Sequence, residues 1–340
     1  MADALPDRMR AWTFDRRGEP DEVLALADVA VPRPGPGQLL VRVRAASVNF
    51  SDALIVRGTY QSTPPLPAIA GMEVSGELVG GDLDDLLPAG GTVAGLTAGL
   101  VGAFAPYAVL DRGSAFVPPA HYSPVEAACF PVAFQTAWFA VHVRGRVEAG
   151  DAVLVHAAAG GVGLAAVQLA RALGARTVIG VVGDPVKREA ALAAGCSAVL
   201  LRGSADLVGQ VREAAGGAVD VVIDPVGGTA HALSERVVGF DGRIVLVGFA
   251  SGQVPPVRAD LAMVKNYAVV GLHWGLYRDR APAVVREQYE RLVAVVDAAA
   301  IHPVVSRLLP FDRAPAALAA VESGSSVGRV AVDVDGSAGA

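Results

Sequence analysis

The apolar run Val153-Leu-Val-His156 breaks into Ala157-Ala-Ala-Gly-Gly-Val-Gly163, and a helical pattern follows at once, with Val162, Ala165, Ala166, Leu169 and Leu173 on one side. A short apolar strand, a glycine turn and an amphipathic helix, in that order, open a parallel βαβ unit. The rhythm continues downstream. Strands are expected at 151–156, 177–182, 198–201, 219–224 and 243–248, and helices at 161–173, 185–194, 205–215 and 229–238. Near-continuous Val/Ile/Leu strands are those covered on both faces, so this stretch predicts an α/β, doubly wound parallel sheet.

The flanks read differently. Residues 29–31, 39–45, 73–79 and 92–96 are short strand patterns separated by Pro/Gly turns, such as 32–37 and the proline-rich 59–67. Leu39 to Ala45 alternates apolar and polar, as a half-buried strand does. Beyond 272 come a helix at 284–299, an extended piece at 303–310, a helix at 314–322 and a last strand at 329–333. The expected layout is an α/β domain, 125–272, inserted between two parts of a β-rich domain, 1–124 and 273–340. No fixed-period repeat is present. The Gly/Ala/Ser tail 335–340 is expected to be loose.

Charge and composition narrow the partners. The net charge of −6 disfavours nucleic acid and anionic membranes, which attract basic surfaces. The apolar stretch 125–143 is interrupted by Glu126, Pro131, Gln135 and His142, which favours a buried segment over a membrane span. The acidic N-terminus lacks the apolar core of a signal peptide. Cys129 and Cys196 are too few for a disulfide framework or a four-cysteine zinc site. A cytoplasmic protein is expected.

The strand–glycine–helix context is what a dinucleotide needs. Gly160 lets backbone approach a pyrophosphate, Gly163 lets the helix pack close to the strand, and the free N–H groups of Gly161 and Val162 at the helix start face the phosphates. Ala158 stands where the first glycine of G-x-G-x-x-G belongs. An acid ending the second strand would hold the adenosine ribose of NAD; Asp184 falls one or two residues late for that. Gly183 leaves room there for a 2′-phosphate, and Lys187 and Arg188 supply cations, or simply a solvated helix face.

Several motifs together resemble a known family. Ala46-Ser-Val-Asn-Phe-Ser-Asp52, Ile55-Val-Arg-Gly-Thr-Tyr60, Ala157–Gly163, Asp220-Val-Val-Ile-Asp-Pro-Val-Gly-Gly228, Gly242-Arg-Ile-Val-Leu-Val-Gly-Phe-Ala-Ser-Gly252 and Gly271-Leu-His-Trp-Gly275 are similar to the zinc-independent quinone oxidoreductase branch of the medium-chain dehydrogenase/reductase superfamily. The resemblance runs from about Met9 to Val334. It implies a GroES-like β-rich domain, a Rossmann domain, NADPH as cofactor and a homodimer. It also implies cofactor contacts from Thr136, Gly160, Gly161, Val162, Gly183, Lys187, Arg202, Gly248, Phe249 and Ala250.

Where zinc-dependent relatives place cysteine and histidine ligands, this chain has Asn49, Met72 and Val132, which are poor ligands; Glu73 alone cannot hold the ion. No metal is therefore expected, and alcohol oxidation loses its Lewis acid. The family turns the loops of Asn49 and Tyr60 towards the nicotinamide. Asn49 is the candidate donor to a substrate carbonyl. Tyr60 is the candidate proton or hydrogen-bond donor, with a plain surface tyrosine as the other reading. Phe50 and Trp274 are candidate pocket walls, or core. Asp52 is read as structural and His156 as a core histidine. Arg202, where relatives often carry tyrosine, either strengthens phosphate binding or is solvated. The expected function is NADPH-dependent hydride transfer to quinones or other electron-poor alkenes. The alternatives are an enoyl thioester reductase and a non-catalytic NADPH-binding protein.

Overall fold

The structure is a computed structural model that describes residues 5–336; of the tail expected to be loose, 337–340 lie outside the described residues. The chain forms two compact units, Met1–Val132 with His302–Ala340, and Ala133–Ile301.

In the second unit six parallel strands lie side by side in the order Ala198–Leu201, Thr177–Val182, Ala152–His156, Val219–Asp224, Val238–Leu246 and Ala268–Gly271. In chain order this is 3-2-1-4-5-6, the dinucleotide-binding arrangement, whose crevice opens at the carboxyl ends of strands one and four. Every residue of Ala152–His156 and of Thr177–Val182 is buried, as their unbroken apolar sequences require. Helix Gly161–Ala172 packs on these two strands, and its buried residues include Leu164, Ala165 and Leu169.

Boundaries differ from the expected ones where the deciding contacts are distant. The strand expected at 243–248 spans Val238–Leu246, with Asp241 in the left-handed region. The segment expected as one helix from 185 is a 3₁₀ turn, Pro185–Lys187, leading into helix Arg188–Ala193. Helix Pro282–Ala298 packs against Gly161–Ala172 and buries Val285, Leu292 and Val296, so it belongs to the parallel-sheet unit, which extends past the expected 272. Helix Pro124–Cys129 instead packs on strands Gln38–Val48 and Glu73–Gly81 of the first unit.

That first unit has a six-stranded sheet in the order Val305–Pro310, Arg329–Asp333, Gln38–Val48, Glu73–Gly81, Thr92–Thr97 and Tyr107–Phe116. Gln38–Val48 also pairs with Tyr107–Phe116, so four of these strands close on themselves. Placed centrally, Gln38–Val48 is more buried than its alternation suggests; among its residues from Leu39 on, only Arg42 and Arg44 stay half-exposed. Strand Arg8–Phe14 pairs with Ala25–Ala30 in a smaller sheet. Among the described residues no helix is long and apolar enough to cross a membrane.

Candidate active site

The turn 157–163 sits at the carboxyl end of strand Ala152–His156, at the crevice of the parallel sheet. Ala157 takes φ +48°, a left-handed conformation that ordinarily favours glycine. Ala158 is buried, and its N–H donates to the Val181 carbonyl at 3.1 Å. A Cβ on Gly180 would lie 2.8 Å from the Ala158 methyl, so the side chain missing at Gly180 makes room for the one present at Ala158. That accounts for the alanine in place of the first motif glycine. Gly163 has no alternative, because a Cβ there would meet the Ala157 carbonyl at 2.2 Å. Gly160 caps the helix in extended conformation, and Gly160, Gly161 and Val162 are half-exposed. The first amides of that helix have no intrahelical acceptor and present N–H groups to an anion.

The next strand ends at Val182, and Gly183 follows, exposed. A Cβ on Gly183 would lie 2.9 Å from Arg202 Nη2, which places the guanidinium directly over this glycine. Lys187 is close enough to Arg202 to be affected by its charge. Partial burial chiefly holds the Lys187 ammonium below its ordinary value; Asp184 opposes this and Arg202 adds to it. Two cations brought together beside a residue without a side chain fit a phosphate. The Asp184 carboxylate accepts the Val186 N–H at 2.9 Å and caps the 3₁₀ turn.

The remaining implied cofactor contacts lie in the same unit. Thr136 is half-buried on helix Pro131–Trp138. Gly248, Phe249 and Ala250 follow strand Val238–Leu246 at its carboxyl end, and Phe249 is exposed. Trp274 opens helix Trp274–Arg280, is buried, and its indole Nε1 has no hydrogen-bond partner among the described residues. His156 is buried; Ser234 Oγ donates to the Ala230 carbonyl and so accepts from His156 Nε2 at 2.9 Å.

In the β-rich unit one candidate, Asn49, sits in a buried polar cluster that neither Phe50 nor Tyr60 is seen to join. Asn49 directly follows strand Gln38–Val48 and is the N-cap of helix Phe50–Arg57. Its Nδ2 donates to Glu73 Oε2 at 3.0 Å, and its Oδ1 accepts from Arg329 Nη2 at 3.0 Å. Its orientation is therefore held from both ends, leaving one N–H. Glu73, fully buried, also accepts from Arg329 Nη2 at 2.6 Å and from the Val132 N–H at 2.6 Å. Burial pushes the Glu73 carboxyl up, and these donors, Arg329 first, pull it back. Arg329 Nη2 also reaches Ser47 Oγ, so two hydrogens serve three acceptors. Both Glu73 oxygens are thus engaged, and among the described residues no three His, Cys, Asp or Glu side chains gather as a metal site. Phe50 is exposed, and Tyr60 is half-buried with its N–H on the Leu54 carbonyl at 3.3 Å.

Asp52 closes the first helical turn by accepting the Asn49 N–H at 2.7 Å, while its Oδ1 is buried without a hydrogen-bond partner among the described residues. Burial pushes this carboxyl up to about 7, against the pull of the Asn49 N–H and aided by nearby Glu73. A raised folded value means the native state holds the proton longer than the unfolded chain. Stability is then complete below the unfolded carboxyl value and declines as pH rises towards 7. At roughly 1.4 kcal/mol per unit, the Asp52 share of that loss is about 2–4 kcal/mol. Asp52→Asn keeps the acceptor and removes the charge. Urea denaturation at pH 5 and pH 8 is expected to show the variant losing less stability across this interval than wild type; equal losses would contradict the assignment.

Sequence reasoning missed Arg329, Ser47 and Gly180. Gly180, a glycine inside a strand pattern, did carry a signal of close backbone approach. Arg329 carried none, being 256 residues from Glu73.

Comparison with known proteins agrees with this architecture. The family model for an alcohol dehydrogenase GroES-like domain matches residues 35–119, and that for a zinc-binding dehydrogenase matches 161–292. Quinone oxidoreductase-like protein 2 of Mus musculus is 34% identical over 310 residues, covering 90% of this chain and 88% of the relative. A probable oxidoreductase from Mycobacterium abscessus superposes with a TM-score of 0.87 at 29% identity, covering 97% of this chain and all of that one. The quinone oxidoreductase of Thermus thermophilus, solved also with NADPH, gives a TM-score of 0.81 at 31% identity, over 96% of this chain and 100% of that one. With the strand order and the glycine turn, these matches show that the chain belongs to the quinone oxidoreductase branch of the medium-chain dehydrogenase/reductase superfamily and is a nicotinamide-dependent oxidoreductase.

Proposed function

We propose that the protein is an NADPH-dependent reductase that delivers hydride to quinones or other electron-poor alkenes, needs no metal ion and works as a homodimer. The observation that carries the cofactor choice is the pairing of Lys187 with Arg202 beside Gly183, while the Asp184 carboxylate caps its own turn. The names of the mouse and Thermus relatives support the acceptor class. The commitment of both Glu73 oxygens to Arg329, Asn49 and Val132 supports the absence of zinc. The edge position of strand Ala268–Gly271, with Met263 and Val264 exposed on the helix before it, supports pairing with a second copy.

When bound, the cofactor supplies the hydride from the nicotinamide C4. The chain contributes binding and orientation. The amides at Gly161 and Val162 hold the pyrophosphate, and Lys187 and Arg202 hold the 2′-phosphate. The free N–H of Asn49, aimed by Arg329 and Glu73, donates to the substrate carbonyl, and Tyr60 supplies a proton or hydrogen bond. Phe50, exposed at the start of its helix, offers a flat wall to a ring.

NADPH absorbance followed with 1,4-benzoquinone, 9,10-phenanthrenequinone and crotonyl-CoA in parallel tests this reading and separates it from an enoyl thioester reductase or a silent binder. Asn49→Ala is expected to slow all acceptors by about 10²-fold, the usual worth of an oriented donor. Tyr60→Phe is expected to leave quinones almost unchanged, since a reduced quinone oxygen takes its proton from water. Enone reduction should fall by about 10²-fold with loss of the acid. Both variants within twofold of wild type on every acceptor would make these residues scaffold. Stoichiometric zinc by elemental analysis, or a monomer by light scattering at micromolar concentration, would remove the corresponding part of the proposal.

A further inference from the structure

The loop that follows strand Val238–Leu246 is tied down at both ends. Near its start, Ala250 N–H donates to the Pro225 carbonyl at 3.1 Å, and Ser251 donates to the Val226 carbonyl through its N–H at 3.0 Å and its Oγ at 2.7 Å. The segment it leans on, 225–228, is itself shaped by Asp224, whose Oδ1 accepts the N–H groups of Val226 and Gly227 at 2.9 Å each. At the far end, Arg258 N–H donates to Glu235 Oε1 at 2.9 Å, an oxygen that also accepts from Tyr267 Oη at 3.2 Å. One buried side chain lies between the two anchoring carboxylates. His231 Nδ1 is 3.8 Å from Asp224 Oδ2 and its Nε2 is 3.5 Å from Glu235 Oε1. Neither ring nitrogen nor Asp224 Oδ2 has a hydrogen-bond partner among the described residues. His156, the other buried histidine nearby, is engaged with Ser234 and does not take this place.

Burying three polar atoms without partners is costly, and side chains whose only role is to fill space are cheaper when apolar. A row of Asp224, His231 and Glu235, with ring nitrogens 3.8 and 3.5 Å from the two carboxyl groups, lies between the two anchors of one loop and gives these buried atoms a role. We propose that Asp224, His231 and Glu235 form a clamp that sets the position of loop 247–258, making Asp224 and His231 positioning residues for the cofactor; neither touches it. The clamp rests on the proposed function only in that Gly248, Phe249 and Ala250 face the nicotinamide nucleotide.

The test reads the loop directly as well as the ligand. In the cofactor-free protein, Ala250 and Ser251 amides are expected to exchange slowly with deuterium in wild type and in Asp224→Asn, which keeps the Oδ1 acceptor. They should exchange at least tenfold faster in Asp224→Ala and His231→Leu, with strand 152–156 still protected. NADPH Kd, by calorimetry, should rise about tenfold in Asp224→Ala and several-fold in His231→Leu, and stay within threefold in Asp224→Asn, with kcat changed less than KM. Ser251→Ala, at an exposed position that does not threaten folding, should raise Kd about threefold. Wild-type exchange and Kd in His231→Leu and Ser251→Ala would overturn the clamp even if Asp224→Ala failed to fold. Faster exchange in the variants of a wild type that binds no NADPH would instead uphold the clamp and reject the cofactor reading.

Discussion

Replacing Arg329 by methionine is expected to destabilise the β-rich unit by about 3–5 kcal/mol, the usual cost of leaving one partner of a buried ion pair alone. Arg329 and Glu73 are exposed by only 8% and 0%, and the same guanidinium nitrogen holds Glu73, Asn49 and Ser47. Without it, burial drives the Glu73 carboxyl further up, so the native state must keep a proton that the unfolded chain releases. The loss should therefore be larger at pH 8 than at pH 6. Glu73→Gln combined with Arg329→Met is expected to recover much of the stability, because no charge is left unpaired. Urea denaturation of the two singles and the double at both pH values makes the comparison. A loss below about 1 kcal/mol in Arg329→Met would show that the ion pair does not hold this cluster together, and with it the orientation assigned to Asn49.

Removing the cations beside Gly183 should change cofactor choice more than any other single alteration in the parallel-sheet unit. A charged partner of a phosphate is worth roughly 1.5–3 kcal/mol, or about one to two decades in affinity. Lys187→Ala and Arg202→Ala are each expected to raise KM for NADPH by that factor and to leave KM for NADH nearly unchanged. On the proposed reading the two cations share one phosphate, so the double variant should lose less than the product of the singles. The effect should shrink in high salt, because both side chains reach solvent. Parallel KM measurements with NADPH and NADH decide the matter. A wild type that prefers NADH, or variants that weaken both cofactors equally, would overturn the assignment of this pair to the 2′-phosphate.

Much of the candidate nucleotide site in the parallel-sheet unit is legible in the primary structure. Gly160, Gly163 and Gly183 declare themselves because a strand end, a glycine and a helix start are neighbours in the chain. Arg202 came in through resemblance alone, since its place over Gly183 depends on strand Ala198–Leu201 lying beside Thr177–Val182. Asn49 is a candidate donor from sequence, but its neighbours are not legible there: Arg329 arrives on the last strand through pairing of Arg329–Asp333 with Gln38–Val48. The sequence pattern gives no helix at 50–57, yet Asn49 and Asp52 stand three apart at the start of helix Phe50–Arg57, a pairing that closes its first turn.

By itself the sequence determined the alternation of strands and helices from 151 to 246 and the place of the dinucleotide turn. Hydrophobic period and glycine punctuation act over a few residues and need no distant partner. The tertiary structure alone decided that helix Pro282–Ala298 belongs to the parallel-sheet unit, since an amphipathic helix shows that it has a buried side and not what buries it. It alone decided that Glu73 is committed to Arg329, that the Asp52 carboxyl is pushed up to about 7, and that His231 lies between Asp224 and Glu235. Each of these depends on which charged groups are withdrawn from water together, and that is settled by packing between segments far apart in the chain.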